Sequence, residues 1–235
     1  MLFKVKEVDP GATRIALVKH AGEAMWNWLK SSKPTENKHV LDNEPTEIHS
    51  QEASNPKIIV ITGMSGSGRK KTAKQLSLDL GIPYIVSYTS RTIRPHEHNG
   101  EDYHFISEDE FQAMLDRKEF IQSVHLERGS YGISEIELLQ ALEVRKAVIV
   151  VVNHDGAHAF HKKFGEDALR IFLYVTKDDI RLRLERESAP TGIVEEYLEN
   201  YAEEVVHKKE SEYLLQNFDP DTTLQKIKEF LQNKI

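Results

Sequence analysis

An α/β fold, a three-layer sandwich around a parallel central sheet, is predicted from Lys57 onward by two observations. Segments of strand character alternate with segments of helix character over residues 57–235, the arrangement that βαβ units produce. Two of the strand segments, Val148-Ile149-Val150-Val151-Val152 and Ile171-Phe172-Leu173-Tyr174-Val175, are near-continuous apolar runs, as in strands covered on both faces. In chain order, Ile58-Ile59-Val60-Ile61 predicts a first strand over 57–62, and Ala73-Lys74-Gln75-Leu76 belongs to a helix over 69–80. Further strands are expected at 84–87, 147–152 and 170–175, with shorter β-rich sections around 103–106 and 120–126. Further helices are expected at 108–117, 134–143, 178–187, 193–209 and 221–233.

The first 56 residues are of a different kind. Leu2 to Val8 alternates like a strand, and Ala12 to Leu29 carries Ile15, Val18, Met25 and Trp28/Leu29 near helical spacing. Residues 1–31 thus read as a small strand and helix segment. Residues 32–56, with Pro34, Pro45 and several Asn and Glu, read as a polar linker. The amphipathic helix docks on its own chain in the simpler reading; contact with a protein partner through residues 1–56 is the alternative.

Bulk properties bound the function. A chain of 235 residues buries one good core with a modest appendage. Its net charge of −7 argues against nucleic-acid binding, so any anion site is a local basic cluster. Cys is absent, which excludes disulfides, thiolate metal sites and thiol catalysis. No apolar run approaches membrane-spanning length, and Met1-Leu2-Phe3-Lys4-Val5-Lys6 lacks the apolar stretch of a signal peptide. A soluble, cytoplasmic protein without a membrane or nucleic-acid partner is expected.

Between the first strand and its helix lies Gly63-Met64-Ser65-Gly66-Ser67-Gly68, then Arg69-Lys70-Lys71-Thr72. Spacing and context are those of a phosphate-cradling P-loop, G-x-x-x-x-G-K-[ST]. Backbone N–H groups of such a turn converge on an anion at a helix N-terminus, where the helix dipole adds to the attraction. Ser65 and Ser67 could add hydroxyl donors. The alternative is a tight strand-to-helix turn that binds nothing. Arg69 stands where the lysine belongs, and a planar guanidinium does not replace a compact ammonium at a crowded phosphate. Lys70 stands where a hydroxyl normally helps hold Mg²⁺. Residues 69–71 still attract a triphosphate by charge.

The most specific stretch runs from Ser87 to Phe105. Two arginines three apart, Arg91 and Arg94, then Tyr103, then Tyr131 in Ser130-Tyr131-Gly132, can converge on one phosphate through guanidinium forks and phenolic hydroxyls. On composition alone, two solvated surface arginines would be the better reading. The whole pattern, however, closely resembles the guanylate kinase family, with S-x-x-T-R-x-x-R-x-G-E-x-x-G-x-D-Y-x-F, then E-F-x-E, then a tyrosine before glycine. The chain matches at Ser87, Arg91, Arg94, Glu97, Gly100, Asp102, Tyr103, Phe105, Glu119-Phe120 and Tyr131-Gly132.

The resemblance covers about residues 57–235 and implies a P-loop NTPase-like sandwich. It implies a monophosphate-binding subdomain at about 88–133 and a mobile helical lid at about 181–200. By the same resemblance Arg91, Arg94, Tyr103 and Tyr131 hold the phosphate of GMP, Ser87 faces guanine O6, and Glu97 has a substrate-side role. ATP and Mg²⁺ are the implied co-reactants, and Arg183 and Arg186 are candidates to neutralise the transferring phosphoryl group, beside Arg69.

The departures from the family pattern cluster on the reactive side. The second glutamate of E-F-x-E is Gln122, which weakens selection of guanine. The small hydroxyl after Tyr-Gly is Ile133, with Ser134 adjacent. An aspartate expected after the strand at 147–152 is Asn153, the acid moving to Asp155, and an expected lid arginine is Tyr197. Phosphoryl transfer depends on electrostatic positioning, and losing one such group typically costs about 2.7–4 kcal/mol. Two readings follow: a nucleoside monophosphate kinase in which transfer from ATP to GMP is weak, or a non-catalytic module that binds a phosphorylated or protein partner. His154, His158 and His161 would share one face if the segment were helical, which reads as a solvated face rather than a metal site, and no metal ligands are assigned.

Overall fold

The structure is a computed structural model that describes residues 57–235 apart from Glu187 and Asn233. The expected strand at 2–8, helix at 12–29 and linker at 32–56 lie outside the described residues. The described chain begins with strand β1 (Lys57–Gly63) and helix α1 (Arg69–Leu80). It continues through β2 (Tyr88–Thr89), β3 (His104–Phe105), α2 (Glu108–Asp116), β4 (Phe120–Leu126), β5 (Gly129–Ser134) and α3 (Glu135–Arg145). Then follow β6 (Ala147–Val151), α4 (His154–Phe164), β7 (Ala168–Tyr174), α5 (Lys177–Arg186) and α6 (Thr191–Glu199). The last elements are α7 (Tyr201–Val205), a 3-10 turn (Val206–Glu210), β8 (Tyr213–Gln216) and α8 (Pro220–Leu231).

Four parallel strands in the order β6-β1-β7-β8 form the central sheet, with helices on both faces. Side chains alternate across each strand. Ile59 and Ile61 of β1 therefore join Ile149, Ile171 and Leu173 in a core closed by Ala73 and Leu76 of α1 and by Leu224, Ile227 and Leu231 of α8. On the other side α4 packs against β1 and β7 and buries Ala157 and Phe160. Gly156 lets α4 approach, since a Cβ there would lie 2.7 Å from Val152 Cβ. A second sheet, β3-β2-β5-β4, is built on the antiparallel β4–β5 hairpin. Helix α3 packs on both sheets, and Glu137 on it accepts a hydrogen bond from Tyr88 Oη at 2.7 Å.

Several boundaries differ from the sequence expectation. The segment 84–87 is no strand: Tyr84 makes one parallel bridge to Ile149, Ile85 donates to Ile149 O at 2.9 Å, and the chain then leaves for the second sheet. Helix α4 lies outside the expected helices, although its buried Ala157 and Phe160 stand at helical spacing. Strand β8 has only four residues and was read through. The helix expected at 193–209 is three shorter pieces, interrupted at Asn200. Among the described residues no helix is long and apolar enough to cross a membrane.

The turn after β1 begins where two backbones nearly touch. Gly63 has φ +128°, and a Cβ on it would lie 2.0 Å from Leu173 O. That same carbonyl accepts Met64 N–H at 3.0 Å, pinning the loop to the end of β7. Gly63→Ala is therefore expected to cost about 3 kcal/mol or more through backbone strain and overlap. Thermal unfolding should show a melting temperature lower by roughly 6–12 °C; an unchanged value would contradict this packing.

Candidate functional site

A cleft of about 800 Å³ opens at the carboxyl ends of β1 and β6, where ligands sit in folds of this kind. The Gly63–Gly68 turn and the start of α1 form one wall. The second sheet with the 87–103 segment forms another, and residues Tyr197 to His207 close the third. Arg69, Lys70, Lys71, Arg91, Arg94 and Arg128 supply positive charge, set against Glu97, Glu127, Glu203 and Glu204.

The turn has the backbone of a phosphate loop. Gly66 and Gly68 take φ of +75° and +85°, a region open to glycine, and Gly68 is the N-cap of α1. Ser65 and Arg69 are bonded within the chain. Ser65 N–H donates to Glu204 Oε2 at 2.8 Å, and Ser65 Oγ–H donates to Glu204 Oε1 at 2.6 Å. A carboxylate of α7 thus occupies donors that face the cleft. Ser67 is fully buried beneath the turn, and its carbonyl accepts Asn217 Nδ2 at 2.7 Å. Arg69 donates from Nη1 to Val152 O at 3.3 Å, turning toward the end of β6. Arg183 lies behind the loop, with Nη1 3.5 Å from Gly66 O and Nη2 donating to Asn217 O. Neither Arg183 nor Arg186 lines the cleft. The ring of Tyr197 lies so close to Gly66 that a Cβ there would come within 3.2 Å of it. Arg128, in the β4–β5 turn, has Cζ 6.0 Å from the Tyr197 ring centroid.

The opposite wall converges on Arg91, which is 8% exposed. Glu97 holds it by a bidentate pair, Nη1 to Oε2 at 2.8 Å and Nη2 to Oε1 at 2.6 Å, while Arg94 N–H donates to Glu97 Oε2 at 2.9 Å. Burial works against the Arg91 charge, but the Glu97 hydrogen bonds and charge outweigh it and hold the guanidinium above its ordinary range. Burial likewise pushes Glu97 up, and Arg91 with the Arg94 N–H brings its carboxyl net below the usual value. Arg91 Cζ lies 5.1 Å from the Tyr103 ring centroid, and Tyr103 meets Tyr131 edge-on at 5.7 Å. His96 stands where the family pattern has glycine and takes φ +69°, a left-handed turn that presents Glu97 inward. Ser87 and Gln122 line the same side of the cleft.

The family model for guanylate kinase matches residues 55–234. The chain belongs to the guanylate kinase family. A guanylate kinase of Hyphomonas neptunium is 28% identical over 177 residues, covering 74% of this chain and 82% of that one. One from Chlamydia trachomatis serovar D is 32% identical over 177 residues, covering 74% and 85%. The crystal structure of guanylate kinase from Anaplasma phagocytophilum superposes with a TM-score of 0.64 at 25% identity, covering 77% of this chain and 86% of that one.

Against the guanylate kinase pattern, the residues here do not fit Mg²⁺. Lys70 replaces the hydroxyl, and Asn153 spends its Oδ1 capping α4, accepting Gly156 N–H at 2.9 Å. Among the described residues no three His, Cys, Asp or Glu side chains are grouped to hold a metal ion. His154 instead stacks on His207, centroids 3.7 Å apart, His158 is exposed, and His161 lies 3.9 Å from Glu212. Sequence reading missed Glu204, Asn217 and Arg128, whose roles depend on contacts across the fold rather than on a local motif.

Two outcomes are expected. Glu97 has a depressed folded pKa, so its contribution is present above the unfolded value of about 4.3 and lost as pH falls through the folded one. Glu97→Gln should lower stability by about 2 kcal/mol at neutral pH, and urea midpoints of the two proteins should converge as the pH falls through the depressed pKa of Glu97. Glu204→Gln keeps the shape and removes the competing charge, so ATP affinity measured by calorimetry should rise about tenfold. No rise would mean that Glu204 does not compete with phosphate.

Proposed function

We propose that this chain binds GMP or a closely related nucleoside monophosphate, with its phosphate on Arg91, Arg94, Tyr103 and Tyr131, and that transfer from ATP is slow. The observation that carries this reading is the Arg91–Glu97 pair. It fixes a guanidinium against Tyr103 on the wall of the cleft, ready for a dianionic group before any ligand arrives. Ser87 and Gln122 would read the base. Gln122 accepts without charge assistance, so selection of guanine over other bases is weakened. In domain terms, residues 57–235 form the kinase-like domain, about 88–133 its monophosphate-binding part and about 181–200 its lid, preceded by a 1–31 segment and a 32–56 linker.

The reaction is ATP + GMP → ADP + GDP. A GMP phosphate oxygen attacks the γ-phosphorus of ATP, and the bond from that phosphorus to the β–γ bridging oxygen breaks, leaving ADP. Arg69 turned toward Val152 O and the Glu204 carboxylate on Ser65 both work against the donor half of this reaction. A second reading, a module that binds a phosphorylated or protein partner without transfer, is favoured by that Glu204–Ser65 contact.

A coupled assay with ATP, Mg²⁺ and a panel of monophosphates, run beside calorimetry, tests both. GMP binding lost in Arg91→Ala and turnover well below the roughly 1–100 s⁻¹ typical of kinases is the expected result. Turnover inside that range would remove the slow-transfer claim. No binding of any monophosphate would remove the pocket itself.

A further inference from the structure

Lys70 occupies a motif position that belongs to the donor phosphates, but its side chain is on the other side of the cleft. It is the second residue of α1, directly after the loop. Its Nζ lies 4.0 Å from the Tyr103 ring centroid, 3.7 Å from Asp102 Oδ1 and 3.9 Å from Glu97 Oε1. All three partners belong to the segment that presents the monophosphate pocket. Lys70 and Arg91 therefore flank one aromatic ring, and two like charges come together where only carboxylates and a bound anion can offset them.

The bonding around this ammonium is incomplete. Both ion-pair distances exceed the reach of a direct hydrogen bond. The acids are already engaged more closely by others, Glu97 by Arg91 at 2.6 Å and Asp102 by Lys74 at 2.9 Å. Among the described residues Lys70 Nζ makes no hydrogen bond, so its three donors are uncommitted. Its side chain is 29% exposed and lines the cleft. Burial is the largest influence on its charge and Arg91 adds to it, so the ammonium is held below its ordinary pKa in spite of Asp102 and Glu97. An arriving phosphate dianion relieves both.

We propose that Lys70 is an acceptor-side phosphate ligand, a fixed cation that binds the monophosphate in concert with Arg91, in place of the metal-holding group its motif position implies. This rests on the monophosphate reading above and adds a residue to it. The variant makes physical sense of the poor fit to Mg²⁺: the hydroxyl is absent and its replacement serves the other substrate.

The test is calorimetry of the full chain with GMP and, separately, with ADP as a donor-side probe, both with a chelator present. Lys70→Met is expected to weaken GMP binding about tenfold or more and to leave ADP within about twofold, with Lys70→Arg recovering part of the loss. Lys70→Gln, read the same way, covers the case in which the methionine variant misfolds. A loss confined to ADP, or GMP affinity unchanged in Lys70→Met and Lys70→Gln, overturns the proposal. If GMP binding survives Lys70→Met but not Arg91→Ala, only this inference falls; if the wild type binds no GMP, the monophosphate reading falls with it.

Discussion

A single carboxylate organises the positive side of the cleft. Glu97 accepts from both terminal nitrogens of Arg91 and from the backbone of Arg94, and it lies near Lys70. Its side chain is 16% exposed, so its charge is only partly screened by water. Without it, Arg91 and Lys70 would face each other across Tyr103 with little compensation, and a buried guanidinium left unpaired is costly. The left-handed turn at His96 sets this carboxylate in place. The geometry of this wall therefore depends on a short loop held by ion pairs rather than on the hydrophobic core.

The glycine-rich turn has a different physical basis. The shape of the Gly63–Gly68 turn follows from backbone constraints: Gly63 against Leu173, Gly68 at the helix N-cap, Ser67 tied to Asn217. None of these depends on the side chains at 69 and 70. The turn can thus keep its form while Arg69 bonds to Val152 O and Lys70 crosses to Tyr103. Shape and chemistry are separable here, which is why a phosphate loop is recognisable in a chain whose loop side chains do other things.

The same separation explains what was legible in the sequence. Strand β1, helix α1, and the apolar strands β6 and β7 announce themselves through local period and composition. Strand β8 does not, since it is too short to show a period. Arg91, Arg94, Glu97, Tyr103 and Tyr131 could be proposed together because a dense local pattern carries four of them. The structure brings Arg91, Glu97, Tyr103 and Tyr131 into contact. The direction taken by Lys70, and the position of Arg183 behind the loop, follow from packing between distant segments, for which a single sequence offers no signal.

A glycine-rich turn at a helix N-terminus gathers donors that need partners, and such groups destabilise a fold when water reaches them poorly. Glu204 satisfies two of them, at Ser65. The contact ties α7 to the loop, yet it places a negative charge where a triphosphate would bring more. Any donor nucleotide must therefore displace a charge-assisted pair before it gains its own. The opposite wall carries a counterpart: Glu97 sits on both terminal nitrogens of Arg91 and Thr92 O accepts a further Nη1 hydrogen, so an anion arriving there also meets a carboxylate.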